Sequence, residues 1–278
     1  MSDPKHQPKP PLAYQNSHFM ESWSARGLRL LSEYLEPLDR LGRYKVRDTI
    51  VFFGSARLKE DGPLARYYNE ARELARLLTD WSDGLQPPTR RFAVCTGGGP
   101  GIMEAANRGA HDAGGITIGF NIGLPFEQYP NAYITPELSF EFHYFFMRKF
   151  FFAYMAKALV VFPGGFGTID EMFEILTLAQ THKLEKQLTV IVYGSTYWKS
   201  VLNFEMLAAK GAIAQKDLSL IHFADTPEEA FALLRAGLED HIHAPTPPLP
   251  ERRSDQIPEE PLPTAQEILG PDFNKSRA

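Results

Sequence analysis

Three turns in the chain set small residues at the end of an apolar run: Gly54-Ser55, then Thr96-Gly97-Gly98-Gly99-Pro100-Gly101, then Gly164-Gly165-Phe166-Gly167-Thr168. The last two lead straight into segments with helical spacing. A helix N-terminus presents unpaired N–H groups and the positive end of the helix dipole, so it suits an anion such as phosphate. Glycines let the backbone approach that anion with no side chain between. Gly54 alone reads as a tight turn; two glycine-rich loops in one sheet favour a ligand. The dinucleotide fingerprint G-x-G-x-x-G needs a third glycine for helix packing, and Gly165-Phe166-Gly167 is followed by Thr168, Ile169 and Asp170 instead. The glycines at 97–101 do not fit that spacing well, and no G-x-x-x-x-G-K-[ST] loop occurs at these turns. A mononucleotide remains. Charged side chains flank both loops: Glu104 after the first, Arg148-Lys149 before the second, Asp170-Glu171 after it. Singly, each has a plain explanation. An acid in a first helical turn is favoured by the dipole alone, and an Arg-Lys pair is an ordinary solvated edge.

The elements that would position these residues alternate. Residues 49–53, 91–95, 116–120, 139–143, 158–162, 188–193 and 218–223 read as strands. Residues 63–78, 102–112, 145–156, 168–182, 197–210 and 227–238 read as helices, and 121–137 as a long loop with three prolines. Runs such as Leu159-Val160-Val161-Phe162 are apolar throughout, as strands buried on both faces must be. The pattern predicts an α/β fold, a Rossmann-like open parallel sheet with helices on both faces. This Rossmann-like domain is expected over 46–243. Residues 17–45 are expected to add a helical extension, with Phe19, Trp23, Leu28, Leu31, Leu35 and Leu38 at helical spacing and Pro37 as a break. Residues 1–16 read as a flexible tail, and proline-rich 244–278 as a disordered one.

Bulk properties narrow the classes. The net charge is -5 with no long basic run, which argues against a groove that tracks nucleic acid. The single cysteine, Cys95, excludes a disulfide framework and a cysteine-based zinc site within one chain. No stretch has the length of a membrane span, and no apolar signal region follows the N-terminus, so a cytoplasmic location is expected.

Residues 163 to 171, Pro-Gly-Gly-Phe-Gly-Thr-Ile-Asp-Glu, fit P-G-G-x-G-T-x-x-E, and Phe146-Met147-Arg148-Lys149 sets an arginine 23 residues before that glutamate. Together these resemble the Lonely Guy (LOG) family of phosphoribohydrolases, which contains cytokinin riboside 5′-monophosphate phosphoribohydrolases and related AMP nucleosidases. The run from Gly97 to Glu104 and Leu124-Pro125-Phe126-Glu127-Gln128 resemble its longer bacterial form, and the resemblance spans 48–240. It implies Arg148 and Glu171 as the catalytic pair. Gly164, Gly165, Gly167 and Thr168 would hold the phosphate, with Phe166 among them as a further substrate contact. Ser55, Gly98, Gly99, Gly101, Glu104, Glu127 and Lys149 would be further substrate contacts. The implied reaction is cleavage of the N-glycosidic bond of a purine nucleoside 5′-monophosphate, AMP or an N6-substituted AMP, to free base and ribose 5-phosphate. The implied enzyme needs no cofactor or metal and is a homodimer or higher homo-oligomer, without nucleic-acid or membrane partners. The residue chemistry agrees. N-glycosidic cleavage develops oxocarbenium-like charge on the ribose, which a fixed carboxylate stabilises while orienting or activating water. Arg148 has three roles open to it: holding Glu171, contacting the phosphate, or supporting the departing base.

Two rival readings carry different signatures. A nucleotide-binding regulator without turnover would bind AMP and release no adenine. Thr181-His182-Lys183 brings to mind a pyridoxal lysine, but that chemistry needs a desolvated lysine and a pyridinium partner, and here the cations end an amphipathic helix, where the dipole favours them. The eight histidines form no metal-ligand pattern. Residues 145–156 are apolar nearly all round, so that helix is expected in a core or at an interface.

Overall fold

The computed structural model describes residues 9–85, 90–124, 129–183 and 188–243. Seven strands form one parallel sheet: β1 Thr49–Phe53, β2 Ala93–Thr96, β3 Thr117–Ile122, β4 Ser139–Phe142, β5 Ala156–Val161, β6 Thr189–Tyr193 and β7 Ile221–Ala224. Their order is β4-β3-β2-β1-β5-β6-β7. The chain builds outward from β1 to β4, then returns to β1's other side with β5. The order therefore reverses between β1 and β5, and in such sheets the crevice at the carboxyl ends of those two strands is where ligands bind. The central strands β1, β2 and β3 are buried at every position, whereas β4 and β7 at the edges are only partly covered. The all-apolar runs and the alternating runs of the sequence thus sort by place in the sheet.

Nine α-helices are described: α1 Ser17–Glu21, α2 Arg26–Arg43, α3 Ala65–Asp83, α4 Ile102–Asp112, α5 Phe145–Met155, α6 Phe166–Gln180, α7 Ser195–Val201, α8 Phe204–Ala209 and α9 Pro227–His243. One face of the sheet is covered by α3, α4 and α9, whose Leu74, Leu78, Ala105, Leu234 and Leu238 pack on Ile50, Phe52, Val160 and Ile191. On the other face Phe152 of α5 meets Phe53 of β1 and Phe120 of β3 edge-on. Side chains alternate along a strand, so Ile50 and Phe52 serve one layer and Phe53 the other. This Rossmann-like α/β fold is the one the sequence pattern predicts.

Several boundaries differ from that pattern. Helix α2 runs straight through Pro37, which was expected to break it. Proline removes one backbone hydrogen bond, to the carbonyl four residues back. Pro37, Leu38 and Leu41 are all buried, so packing outweighs that loss. The single helix expected over 197–210 is two, because Asn203 stops α7 and its side chain accepts the Met206 N–H that begins α8. Residues 215–220, read partly as strand, form a 3-10 segment before β7. Strand β3 continues through Asn121 and Ile122 into the expected loop. Among the described residues no helix is long and apolar enough to cross a membrane.

Candidate active site

Helix α6 starts at Phe166, two residues earlier than its spacing suggests, with Gly165 as its N-cap. The Ile169 N–H closes the first turn on the Gly165 carbonyl. Other carbonyls of the loop are also engaged: Pro163 accepts from Ser55 N at 3.0 Å, and Gly164 accepts from the Tyr197 hydroxyl of α7 at 2.9 Å. The N–H groups of residues 164 to 168 meet no acceptor among the described residues. Carbonyls turned inward and N–H groups left over give the loop an anion-binding polarity. The glycines point the same way. A Cβ on Gly164 would fall 2.1 Å from Thr168 Oγ1, so the turn itself requires that glycine. Gly165 and Gly167 have open space around them and no positive φ, so the fold makes no steric demand for glycine at either place.

The other glycine loop differs. Gly98 and Gly101 have φ of 73° and 72°, and a Cβ on either would strike Asn121 Oδ1 or the Ser55 carbonyl. Their glycine character is dictated by backbone conformation and close approach. The loop is pinned from several sides. Asn131 donates from its backbone N to the Gly98 carbonyl, and from Nδ2 to the Gly98 and Gly99 carbonyls and to Asn107 Oδ1, all within 3.1 Å. Asn107, fully buried, also accepts from Thr96 Oγ1 and donates to Thr117 Oγ1 and the Ile118 carbonyl. Ser55 ties the strand ends together, since its carbonyl accepts from Ile102 N at 3.1 Å.

Arg148 and Glu171 meet between these loops. Arg148 Nη2 donates to Glu171 Oε1 at 3.2 Å. Both are largely buried, with side-chain exposures of 14% and 9%. Burial pushes the Glu171 carboxyl up to about 7, against the pull of Arg148 and Lys149. Burial likewise holds the Arg148 guanidinium below its ordinary range, and Glu171 works against that shift. The guanidinium lies 5.3 Å from the Phe145 ring centroid and 5.7 Å from that of Phe152. Its Nε is buried with no acceptor among the described residues. Gly97 is the nearest part of the other loop: a Cβ there would lie 3.9 Å from Arg148 Nη1.

The remaining expected site residues scatter. Lys149 pairs with Asp170 at 2.7 Å and Glu174 at 2.9 Å, one turn apart on α6, and so clamps α5 to the helix that carries Glu171. Glu104 accepts from the Tyr68 hydroxyl of α3 at 2.9 Å. Phe166 is almost fully exposed. Glu127 lies outside the described residues. Sequence reasoning passed over Asn107, Asn131 and Tyr197, which hold the two loops. Lone asparagines and a lone tyrosine carry no motif, and their partners lie 10 to 33 residues away.

Residues 103–234 match the family described as "Possible lysine decarboxylase". A probable cytokinin riboside 5′-monophosphate phosphoribohydrolase of Arabidopsis thaliana, LOG6, is 26% identical over 198 residues, 71% of this chain and 92% of its own length. A cytokinin riboside 5′-monophosphate phosphoribohydrolase of Rhodococcoides fascians is 30% identical over 139 residues, 49% of this chain and 69% of its own. The chain belongs to the LOG family. The X-ray structure of TM1055, 23% identical with a TM-score of 0.50, shares the fold over 68% of this chain and 99% of its own. The decarboxylase wording finds no support at the candidate lysine of this LOG-family chain. His182 adopts a φ of 54° just past the end of α6, Lys183 N donates to the Leu178 carbonyl, and the Lys183 side chain is exposed. That is a helix terminus. Among the described residues no group of three or more His, Cys, Asp or Glu side chains is placed to hold a metal ion.

Proposed function

We propose that this protein hydrolyses the N-glycosidic bond of purine nucleoside 5′-monophosphates, AMP or N6-substituted AMP, giving free base and ribose 5-phosphate. The observation that carries this reading is the buried pair of Arg148 on α5 and Glu171 on α6, the helix whose N-terminal N–H groups meet no acceptor among the described residues. Glu171 is the sixth residue of α6. A 5′-phosphate on the N–H groups of residues 165 to 168 would hold one end of a ribose while Glu171 meets the other. The carboxylate then opposes the positive charge that grows on C1′ and takes a proton from the attacking water. Breaking the C1′–N bond leaves its electron pair on the base, which takes a proton from solvent as it departs, and the water oxygen bonds to C1′ while its proton, held by Glu171, returns to solvent. Arg148 fixes the carboxylate through Nη2, and its buried Nε is a donor with no acceptor among the described residues. The relatives named as phosphoribohydrolases support the same class of reaction.

The test is direct. Purified protein is incubated with AMP, N6-substituted AMP, GMP and CMP, and free base is separated and quantified. Adenine or N6-substituted adenine and ribose 5-phosphate should appear in equal amounts. Tight nucleotide binding with no base released would replace this reading with that of a non-catalytic nucleotide-binding protein.

A further inference from the structure

Helix α2 lies before the first strand and contains no residue of the motif, yet it grips the segment that delivers Arg148. Its Glu33 carboxylate accepts two backbone N–H groups, His143 N at 2.7 Å and Tyr144 N at 3.2 Å. Tyr144 is the N-cap of α5, and its own side chain makes no capping bond. A helix N-terminus leaves N–H groups needing acceptors, and a carboxylate there also opposes the positive dipole end. Glu33 thus supplies from another helix what α5 lacks. Seven residues on, two turns along the same face, Arg40 donates to the Glu137 and Ser139 carbonyls at 3.3 and 3.1 Å and covers the Phe140 ring at 4.0 Å. An acid meets N–H groups and a base meets carbonyls, at opposite ends of edge strand β4. Tyr34, between them in sequence, packs its ring against Phe150 and Phe151 of α5.

Hydrogen bonds then run on without a gap. Glu33 Oε2 accepts from Tyr144 N at 3.2 Å, the Tyr144 carbonyl accepts from Arg148 N at 3.3 Å, and Arg148 Nη2 donates to Glu171 at 3.2 Å. We propose that Glu33 is a positioning residue for the active site: by capping α5 it sets where the Arg148 guanidinium stands against Glu171. This rests on the reading of Arg148 and Glu171 as the reacting pair, but the contact it predicts between them is measurable without substrate. Glu171 is faced by Arg148 and Lys149 from α5 and by Asp170 and Glu174 on its own helix. Of these Arg148 exerts the largest downward pull on its carboxyl. If α5 loses its cap and Arg148 withdraws, Glu171 should titrate higher.

The experiment uses the full chain with 13Cδ-labelled glutamate. The Glu171 carboxyl resonance is assigned by its loss in Glu171→Gln and then titrated in the natural protein, in Arg148→Ala, and in Glu33→Ala and Glu33→Gln. Arg148→Ala sets the upper limit of the shift. Glu33→Ala is expected to move the titration toward that limit. Glu33→Gln, which keeps one acceptor oxygen, should move it less in the same direction. In base release, Glu33→Ala should lower kcat by roughly tenfold or more, with a smaller change in KM, as misplaced catalytic groups do. A folded Glu33→Ala whose Glu171 titration matches the natural protein overturns the proposal. If Glu33→Ala does not fold, an unmoved titration in Glu33→Gln overturns it instead. Absence of base release by the natural protein would sink the proposed function while leaving this titration to stand or fall separately.

Discussion

Glu171 holds its charge where burial disfavours it. Its carboxyl is pushed from the ordinary 4.5 up to about 7, so the folded state binds this proton more tightly than the unfolded chain does. Stability contributed by the protonated form is present at low pH and is lost as pH rises from about 4.5 through about 7. Glu171→Gln cannot titrate. Its melting temperature relative to the natural protein should therefore climb between about pH 5 and pH 8, by an amount on the order of 1–3 kcal/mol in stability. The attraction of Arg148 for the ionised carboxyl is already contained in that raised value, so the pH-dependent part of the difference follows from the Glu171 titration alone. A pH-independent difference in melting temperature would show that the carboxyl is not raised. The same variant should bind AMP about as well as the natural protein and turn it over roughly 10²–10⁴ times more slowly, because the charge matters most once the ribose becomes cationic. Near-normal turnover would remove Glu171 from the mechanism. Arg148→Ala should also lower kcat, as Glu171 loses its one hydrogen-bonding partner among the described residues.

At the level of elements, the two glycine loops look alike in sequence and are glycine-rich for different reasons. Gly98 and Gly101 are required by their backbone angles and neighbours, whereas Gly165 and Gly167 are not. Gly167→Ala should raise stability slightly, by up to about 1 kcal/mol, since alanine suits a helix better than glycine. It should at the same time weaken use of AMP, because the new methyl group would stand beside the N–H groups proposed to meet the phosphate. Gly98→Ala should instead destabilise the fold. Two charge-assisted bonds from the α6 N-terminus to a 5′-phosphate would amount to roughly 3–6 kcal/mol, so kcat/KM for AMP should exceed that for adenosine by ~10²–10⁴. Equal values for the two would detach the loop from phosphate even if adenine is released. How far such elements can be read from sequence follows from the range of the forces involved. Helix α4 has the bounds its spacing predicts, and the buried central strands announce themselves as apolar runs. Pro37 misleads because burial of Leu38 and Leu41, a tertiary effect, outweighs a local preference. The break at Asn203 is a cap in sequence that was read as helix interior. Arg148 and Glu171 were legible only through a motif, since nothing local says that positions 23 apart in sequence fold back to lie 3.2 Å apart. Glu33 and Asn131 were not legible at all: the partners of Glu33 at this place and most of those of Asn131 are backbone groups, which every residue possesses.

Among the described residues of the whole molecule, helices α2 and α5 leave large apolar side chains exposed. Helix α5 buries Phe151, Phe152, Ala153 and Met155 against the sheet, as its composition foretold, yet Phe145, Phe146 and Tyr154 are about half exposed. Phe150 stacks on Tyr154 at 5.2 Å between ring centroids and touches Tyr34 of α2 at 5.7 Å. Helix α2 presents Leu28, Leu31 and Leu35 outward in one stripe, each about half exposed. Single exposed apolar side chains are ordinary, but a joined set of rings and leucines marks a surface that another molecule covers. Stable association needs about 800 Å² from each partner, and two adjacent helices can offer a patch of that size. Symmetric self-association is the commonest way to cover such a patch, because one surface serves both copies. The protein is therefore expected to be at least a homodimer, with α2 and α5 at its interface. Light scattering at micromolar concentration should give at least twice the 31.4 kDa chain mass. Placing like charges in the patch, with Leu31→Lys and Tyr154→Lys together, should bring the mass down toward one chain while far-ultraviolet circular dichroism stays unchanged. A natural protein that scatters as a single chain would rule out the homodimer. A dimer untouched by the double substitution would put the interface elsewhere on the molecule.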